Sequence, residues 1–172
     1  MKKYVLLPLL ILLAIGLYSQ ENHWARTKLP GLPPVNFQYA LGETCMIFAD
    51  DTSQSVHAFD INEGAWKLLL VPTESEWIEA AADGNVAMIV NDSLAAAYSA
   101  ITSSFSVLSF SGSIISLNMN PWCIENFAYI LTDRFFYVFD AEEAEWVSYP
   151  FTPPGSAPWQ GGMYGNADYI YM

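Results

Sequence analysis

The chain has 172 residues, 53% apolar, 15% aromatic and 14% charged, and its 6 basic and 18 acidic side chains give a net charge of −12. That apolar content supports a packed core in one domain of ordinary size and excludes intrinsic disorder, which needs few aromatic and β-branched residues. The shortage of bases excludes a nucleic-acid partner, because phosphate neutralisation needs Lys and Arg, and composition and pattern exclude collagen, coiled coil and a multi-span membrane protein.

The N-terminus begins Met1-Lys2-Lys3, continues as an apolar stretch from Tyr4 to Leu17 and reaches the small residue Ser19. A bilayer span takes about 20 apolar residues, so this stretch is too short to be one. A basic start, a short apolar run and a small residue before the cut are the parts of a secretory signal peptide. The expected division is therefore residues 1–19 as signal peptide and 20–172 as the folded domain, with the protein exported to a periplasmic or extracellular location and no membrane span left after cleavage. Export places Cys45 and Cys123 where disulfides are permitted. They stand 78 residues apart, in non-adjacent units of the repeat described next, and no CxxC or Cys/His cluster suggests zinc. Two buried free thiols are expected rather than a bridge.

A repeat of about 40 residues runs through the rest of the chain. Phe59, Tyr98 and Phe139 are separated by 39 and 41 residues, and each is followed seven positions later by an aromatic: Trp66, Phe105 and Trp146. Trp24 precedes Trp66 by 42. Asp51, Asp92 and Asp133 recur at intervals of 41, and Asn85, Asn126 and Asn166 each precede a strand-like run, with Thr44 in the matching place before Cys45. Several independent markers in one register define a repeat.

Each unit reads as four short strands between turn signals. In the second unit the predicted strands are Ile78 to Ala82, Val86 to Val90, Leu94 to Tyr98 and Phe105 to Phe110. Asp83-Gly84, Asn91-Asp92-Ser93 and Thr102-Ser103-Ser104 are the turns between them. Outside the signal peptide no segment sustains a helical period, and Thr73-Glu74-Ser75-Glu76 offers capping chemistry with no amphipathic face behind it. The expected fold is all-β: a β-propeller of four-stranded antiparallel blades, about three complete and others partial. A blade with two apolar faces must stack on neighbours, which explains continuous apolar runs such as VAMIV and FAYIL.

The pattern resembles the kelch family of β-propellers in its third strand and closing turn, where an aromatic precedes a Trp by about seven positions. Trp24-Ala-Arg-Thr-Lys-Leu-Pro-Gly-Leu-Pro is similar to that family's fourth strand and exit loop. The repeats are degenerate: the family's Gly-Gly pair is replaced by Asp50-Asp51, Asn91-Asp92 and Thr132-Asp133, and Gly161-Gly162 falls in a first strand. Quinoprotein-type repeats have a longer Asp-to-Trp spacing, and no Trp-Asp or Gly-His pair marks WD40 repeats. Rings of this family commonly hold six or seven blades, so a fragment of a ring is expected, the alternatives being closure of four incomplete blades and association of chains.

No catalytic residue, cofactor or metal site is expected. His23 and His57 are the two histidines, and nothing in the pattern brings them together. HExxH, GxSxG, P-loop and dinucleotide fingerprints do not occur. The acidic run Glu142-Glu143-Ala144-Glu145 reads as a solvated turn. The expected function is a non-catalytic binding module for a glycan or protein partner. The alternatives are a fragment of an exported sugar-active propeller enzyme and a truncated product without independent function. If a ligand binds, the face expected to receive it carries the turns between second and third strands and the loops between units. Asp51, Asp92 and Asp133 lie in those turns, and Phe37, Trp77 and Trp159 in those loops. Carboxylates beside aromatics suit sugars or a cationic partner; the same residues also suit plain turn-making and wedging between blades. Self-association through open blade edges is expected of an unclosed array, the C-terminal run Tyr169 to Met172 being one such edge.

Overall fold

A computed structural model describes residues 37–50, 54–71, 76–115, 121–150, 164–165 and 170–171. Among them every regular element is a β-strand. The first four are β1 (Phe37–Leu41), β2 (Cys45–Asp50), β3 (Ser55–Asp60) and β4 (Ala65–Leu70). The next four are β5 (Glu79–Asp83), β6 (Val86–Val90), β7 (Leu94–Ser99) and β8 (Ser104–Ser109). They are followed by β9 (Trp122–Ile124), β10 (Phe127–Leu131), β11 (Phe135–Asp140) and β12 (Glu145–Pro150), and by the short pair β13 (Tyr164–Gly165) and β14 (Ile170–Tyr171).

Each set of four is an antiparallel meander, ordered β1-β2-β3-β4, β5-β6-β7-β8 and β9-β10-β11-β12, and β13 pairs with β14. We call the three sheets the first, middle and third blades. Their innermost strands β1, β5 and β9 neighbour one another in turn. This is the architecture of a partial β-propeller. The expected signal peptide, Trp24, Gly161-Gly162, Asn166 and residues 73–75 of the expected capping run lie outside the described residues.

The repeat register is literal in the pairing. Phe59 faces Trp66, Tyr98 faces Phe105 and Phe139 faces Trp146 across the last two strands of each blade. Their ring centroids lie 5.1, 5.0 and 5.4 Å apart. Aromatic cross-strand pairs of this kind add to the stability of a hairpin.

Strand alternation sends side chains to two faces, one toward the preceding unit (leading) and one toward the following unit (trailing). The trailing face of the first blade, with Cys45, Ile47, Val56 and Ala58, packs on the leading face of the middle blade, with Ala87, Ile89, Ala96 and Tyr98. The trailing face of the middle blade, with Val86, Met88, Val90, Ala95 and Ala97, packs on Ala128, Ile130, Tyr137 and Phe139 of the third. Burial on both faces is what the unbroken run of β6 requires, and all five of its residues are buried. Each Val- or Ile-sized side chain so buried contributes about 1.5–3 kcal/mol. Cys45 and Cys123 are buried and free. Burial, aided by the nearby Asp60 charge, pushes the Cys45 thiol up to about 12, and burial also raises Cys123 well above its ordinary value. Neither is a nucleophile at neutral pH.

Candidate functional site

The blades present two ends. One, the turn face, gathers the hairpin turns joining first to second and third to fourth strands. The other, the loop face, gathers the turns joining second to third strands and the connections between blades.

The turn face is a continuous hydrogen-bonded belt. Asp60, which closes β3, is fully buried. Its Oδ1 accepts from the backbone N–H of Asn62 (2.9 Å) and Glu63 (3.1 Å). Its Oδ2 accepts from Tyr98 Oη at 2.6 Å and Ser103 Oγ at 3.1 Å, both on the middle blade. Burial pushes this carboxyl up, but the hydrogen bonds from Tyr98, Glu63, Ser103 and Asn62 outweigh it and hold the group below its ordinary value. The Tyr98 hydroxyl moves the other way, raised first by burial and then by its bond to Asp60. Ser99 takes the place of Asp60 in the middle blade. Its Oγ accepts from the N–H of Ile101 and Thr102 and donates to the Ala141 carbonyl of the third blade at 2.6 Å. Asp140 repeats the local turn bond, accepting from the N–H of Glu142 at 2.8 Å.

Beside this lies the line marked in the sequence by Thr44, Asn85 and Asn126. Thr44 Oγ1 donates to the Gly84 carbonyl (2.8 Å) and is 3.1 Å from Asn85 Oδ1. Asn85 Nδ2 donates to Asn126 Oδ1 at 2.9 Å, and Asn126 Nδ2 lies 3.4 Å from Glu142 Oε1. Backbone bonds from Thr44 N to Gly84 O and from Asn85 N to Glu125 O run parallel to it. Gly84 is required there: its φ is +47°, and a Cβ would stand 2.5 Å from the Glu125 carbonyl oxygen.

The loop face carries the residues expected to meet a ligand. Asp92 is exposed on the β6–β7 turn, where its Oδ1 accepts from Ser93 Oγ at 3.0 Å. The turn is held by its neighbour, since Asn91 Oδ1 accepts from the N–H of Ser93 and Leu94. Asp133 is also exposed, but its Oδ1 accepts from the N–H of Ser113 at 3.0 Å, and its own N–H donates to the Ser113 carbonyl. It therefore ties the connection between middle and third blades, with Ser111 N donating to Tyr137 Oη at 3.1 Å beside it. Trp77 is 3% exposed and packs in the core between the first and middle blades, as a wedge. Its indole is not on the surface with Asp92. Phe37 opens β1, its side chain lying outside the described residues with Asp51 and Trp159. The loop face thus displays Asp92 and Asp133 on successive blades and draws Trp77 inside.

His57 lies on the leading face of the first blade, its ring stacked on Phe48 at 4.7 Å and its Nε2 3.0 Å from the buried Ser55 Oγ. His23 lies outside the described residues. Among the described residues no three His, Cys, Asp or Glu side chains are grouped to hold a metal ion, and no helix is long and apolar enough to cross a membrane. The Thr44–Asn85–Asn126 line and the Asp60–Tyr98 bond are what sequence reasoning did not foresee. The interval of 41 residues was visible, but that Thr44, Asn85 and Asn126 touch one another, and that Tyr98 meets Asp60 38 positions before it, required the blades to be adjacent.

No protein-family model and no curated protein matches the sequence. Solved structures with which the chain shares a likeness include the Pan2 WD40 domain of Neurospora crassa, at 14% identity and a TM-score of 0.40, over 67% of this chain and 40% of that one. Hsv2 of Kluyveromyces lactis gives 10% identity and a TM-score of 0.38 over 79% and 42%. Apo AztD from Citrobacter koseri gives 14% and 0.36 over 63% and 33%. The chain spans less than half the length of each. The architecture rests on the chain's own geometry: three stacked four-stranded meanders in one register are β-propeller blades.

Proposed function

We propose that this protein is an exported, kelch-like β-propeller module that binds a protein or glycan partner through its loop face. The observation that carries the reading is the contrast in how the carboxylates are used. On the turn face Asp60 is buried and bonded on both oxygens. On the loop face Asp92 sits exposed on a turn whose geometry Asn91 already fixes. A side chain that its own turn does not need is free to meet a partner, on a scaffold that ordering entropy has already set. With Trp77 inside, the described side chains left exposed there include the carboxylates of Asp92 and Asp133, which favours a protein partner with basic or hydroxyl-rich contacts over a sugar stacked on that indole.

The test is binding of the purified chain to a glycan array and to a panel of basic peptides, with calorimetry on any hit, for the wild type and for Asp92→Ala. Loss of affinity with unchanged folding supports the loop face. An affinity that survives Asp92→Ala places the site elsewhere, and release of new products from the sugars would replace the binding module with an enzyme.

A further inference from the structure

The outermost strands of the three blades hold equivalent places, but their edges are not protected alike. Among the described residues β4, β8 and β12 each end their sheet and pair on one side only. Such an edge is a template for another strand unless a charge or a proline interrupts it. β4 has Lys67 at its centre, and β12 has Glu145 at its start and Pro150 at its end. β8 reads SFSVLS, with neither device. The whole stretch of residues 101–113 is free of charge and of proline.

The pairing with β7 shows what this edge offers. Phe110 N donates to Ser93 O at 2.9 Å, and the register continues with Ser109 opposite Leu94, Val107 opposite Ala96 and Phe105 opposite Tyr98. Bonded and unbonded pairs alternate in an antiparallel ladder, so Phe105, Val107 and Ser109 turn their backbone N–H and C=O away from β7. Pro150 stands in the third blade where Ser109 stands here, opposite the first residue of the preceding strand, and a proline there has no N–H to present. Val107 is 44% exposed in the middle of β8. A further strand about 4.8 Å beyond would set a side chain beside it.

Charge at one end of β8 selects the occupant. The strand runs toward the loop face, where Ser93, which accepts from Phe110 N, adjoins the exposed Asp92, and where Ser113 N donates to the exposed Asp133. The two carboxylates outnumber the exposed Arg134 beside them. A strand laid antiparallel to β8 enters at this end. We propose that the free edge of β8 takes up an extended segment of a partner protein by strand addition. The segment that fits has neutral, β-branched residues along residues 105–109 and basic residues just before them, beside Asp92 and Asp133. The basic residues rest on the loop-face reading above; the strand pairing does not. A second copy of this chain pairing through the same strand would bring Asp92 no base, since residues 101–113 contain none.

The probe is a synthetic peptide with capped ends, KKTVTVT, added to the full chain, with amide hydrogen exchange read residue by residue by NMR and affinity by calorimetry. Binding should slow exchange at Phe105, Val107 and Ser109 and leave Ser106 and Leu108, already bonded inward, unchanged. Ser109→Pro, which installs the third blade's residue, should weaken binding about tenfold through one lost hydrogen bond. A peptide N-methylated along its threonine and valine run should not bind, a control that leaves the protein untouched. Asp92→Ala should weaken binding about threefold. Equal exchange at the three amides with and without peptide overturns the proposal, as does an affinity that survives N-methylation. So do amides already protected in the dilute free chain, where a segment of the chain itself would be the occupant, and amides whose protection rises with chain concentration alone, where a second copy would be. Protection of the three amides with an affinity indifferent to Asp92→Ala would uphold the edge and remove the loop face from it, so the two readings fail separately.

Discussion

The two ends of the propeller use the same residue types for opposite purposes. On the turn face Asp60, Ser99 and Asp140 cap the turns between third and fourth strands, and the first two also reach across to another blade. On the loop face Asp92 caps nothing beyond Ser93 Oγ, because Asn91 holds the turn. A turn-forming residue becomes structural when its second acceptor or donor meets the neighbouring blade, and stays available when it does not. Asp133 lies between these cases, bonded to the inter-blade connection through Ser113 yet exposed.

The largest effect that would break this contrast is at Asp60. Asp60→Ala removes an acceptor of four hydrogen bonds and strands the buried Tyr98 hydroxyl, so a loss of about 3 kcal/mol is expected in denaturant unfolding. The same group predicts acid sensitivity. Because its folded pKa lies below the ordinary 3.8, the stability it contributes is fully present above that value and is lost as pH falls through the lower folded value. Asp60→Asn should flatten that part of the stability profile; an unchanged profile would remove Asp60 from the belt.

Gly84→Ala comes next, with an expected cost of about 2 kcal/mol, because its methyl would press on the Glu125 backbone at a positive φ. Thermal unfolding would measure it, and a neutral result would mean that the β5–β6 and β9–β10 turns can separate. A smaller effect of opposite sign is expected at Ala144, which holds a φ of +55° at the position of Gly64 in the first blade. Ala144→Gly should stabilise by about 0.5–1 kcal/mol, since the left-handed region costs a Cβ more than glycine loses in chain entropy. Smallest is Asp92→Ala, expected within about 0.5 kcal/mol of the wild type because the side chain is exposed and supports no other element. A large loss there would erase the distinction between the two faces.

Much of the fold was legible because hairpin pairing repeats what the sequence repeats. The second unit's strands fall within one residue of their expected limits, and Val86–Val90 matches at both ends. The Phe59–Trp66 interval of seven residues is a hairpin in which the two aromatics stand opposite each other. The site was less legible. An aromatic in a connecting loop reads the same whether it stacks on a ligand or wedges between sheets, and Trp77 wedges. For Asp133 ligand binding and plain turn-making stayed open, because its partner, the N–H of Ser113, lies 20 positions away in sequence. Ser99 carried no signal, since a hydroxyl replacing a carboxylate breaks the motif while keeping its turn bonds. Local chemistry was written in the sequence; which neighbour each group met depended on the stacking.

The line from Thr44 through Asn85 to Asn126 has a direction. Asn85 Oδ1 faces Thr44 Oγ1 of the first blade, Asn85 Nδ2 donates to Asn126 of the third, and Asn126 turns its own amide nitrogen to Glu142 within its blade. Such a line is indifferent to how many links it has. Duplicating or excising a whole unit leaves every donor facing an acceptor, whereas gaining or losing a few residues inside one would break the count. Lineages of this sequence are therefore expected to change length in whole blades, with the inner turns held to a fixed spacing while the outer connections drift.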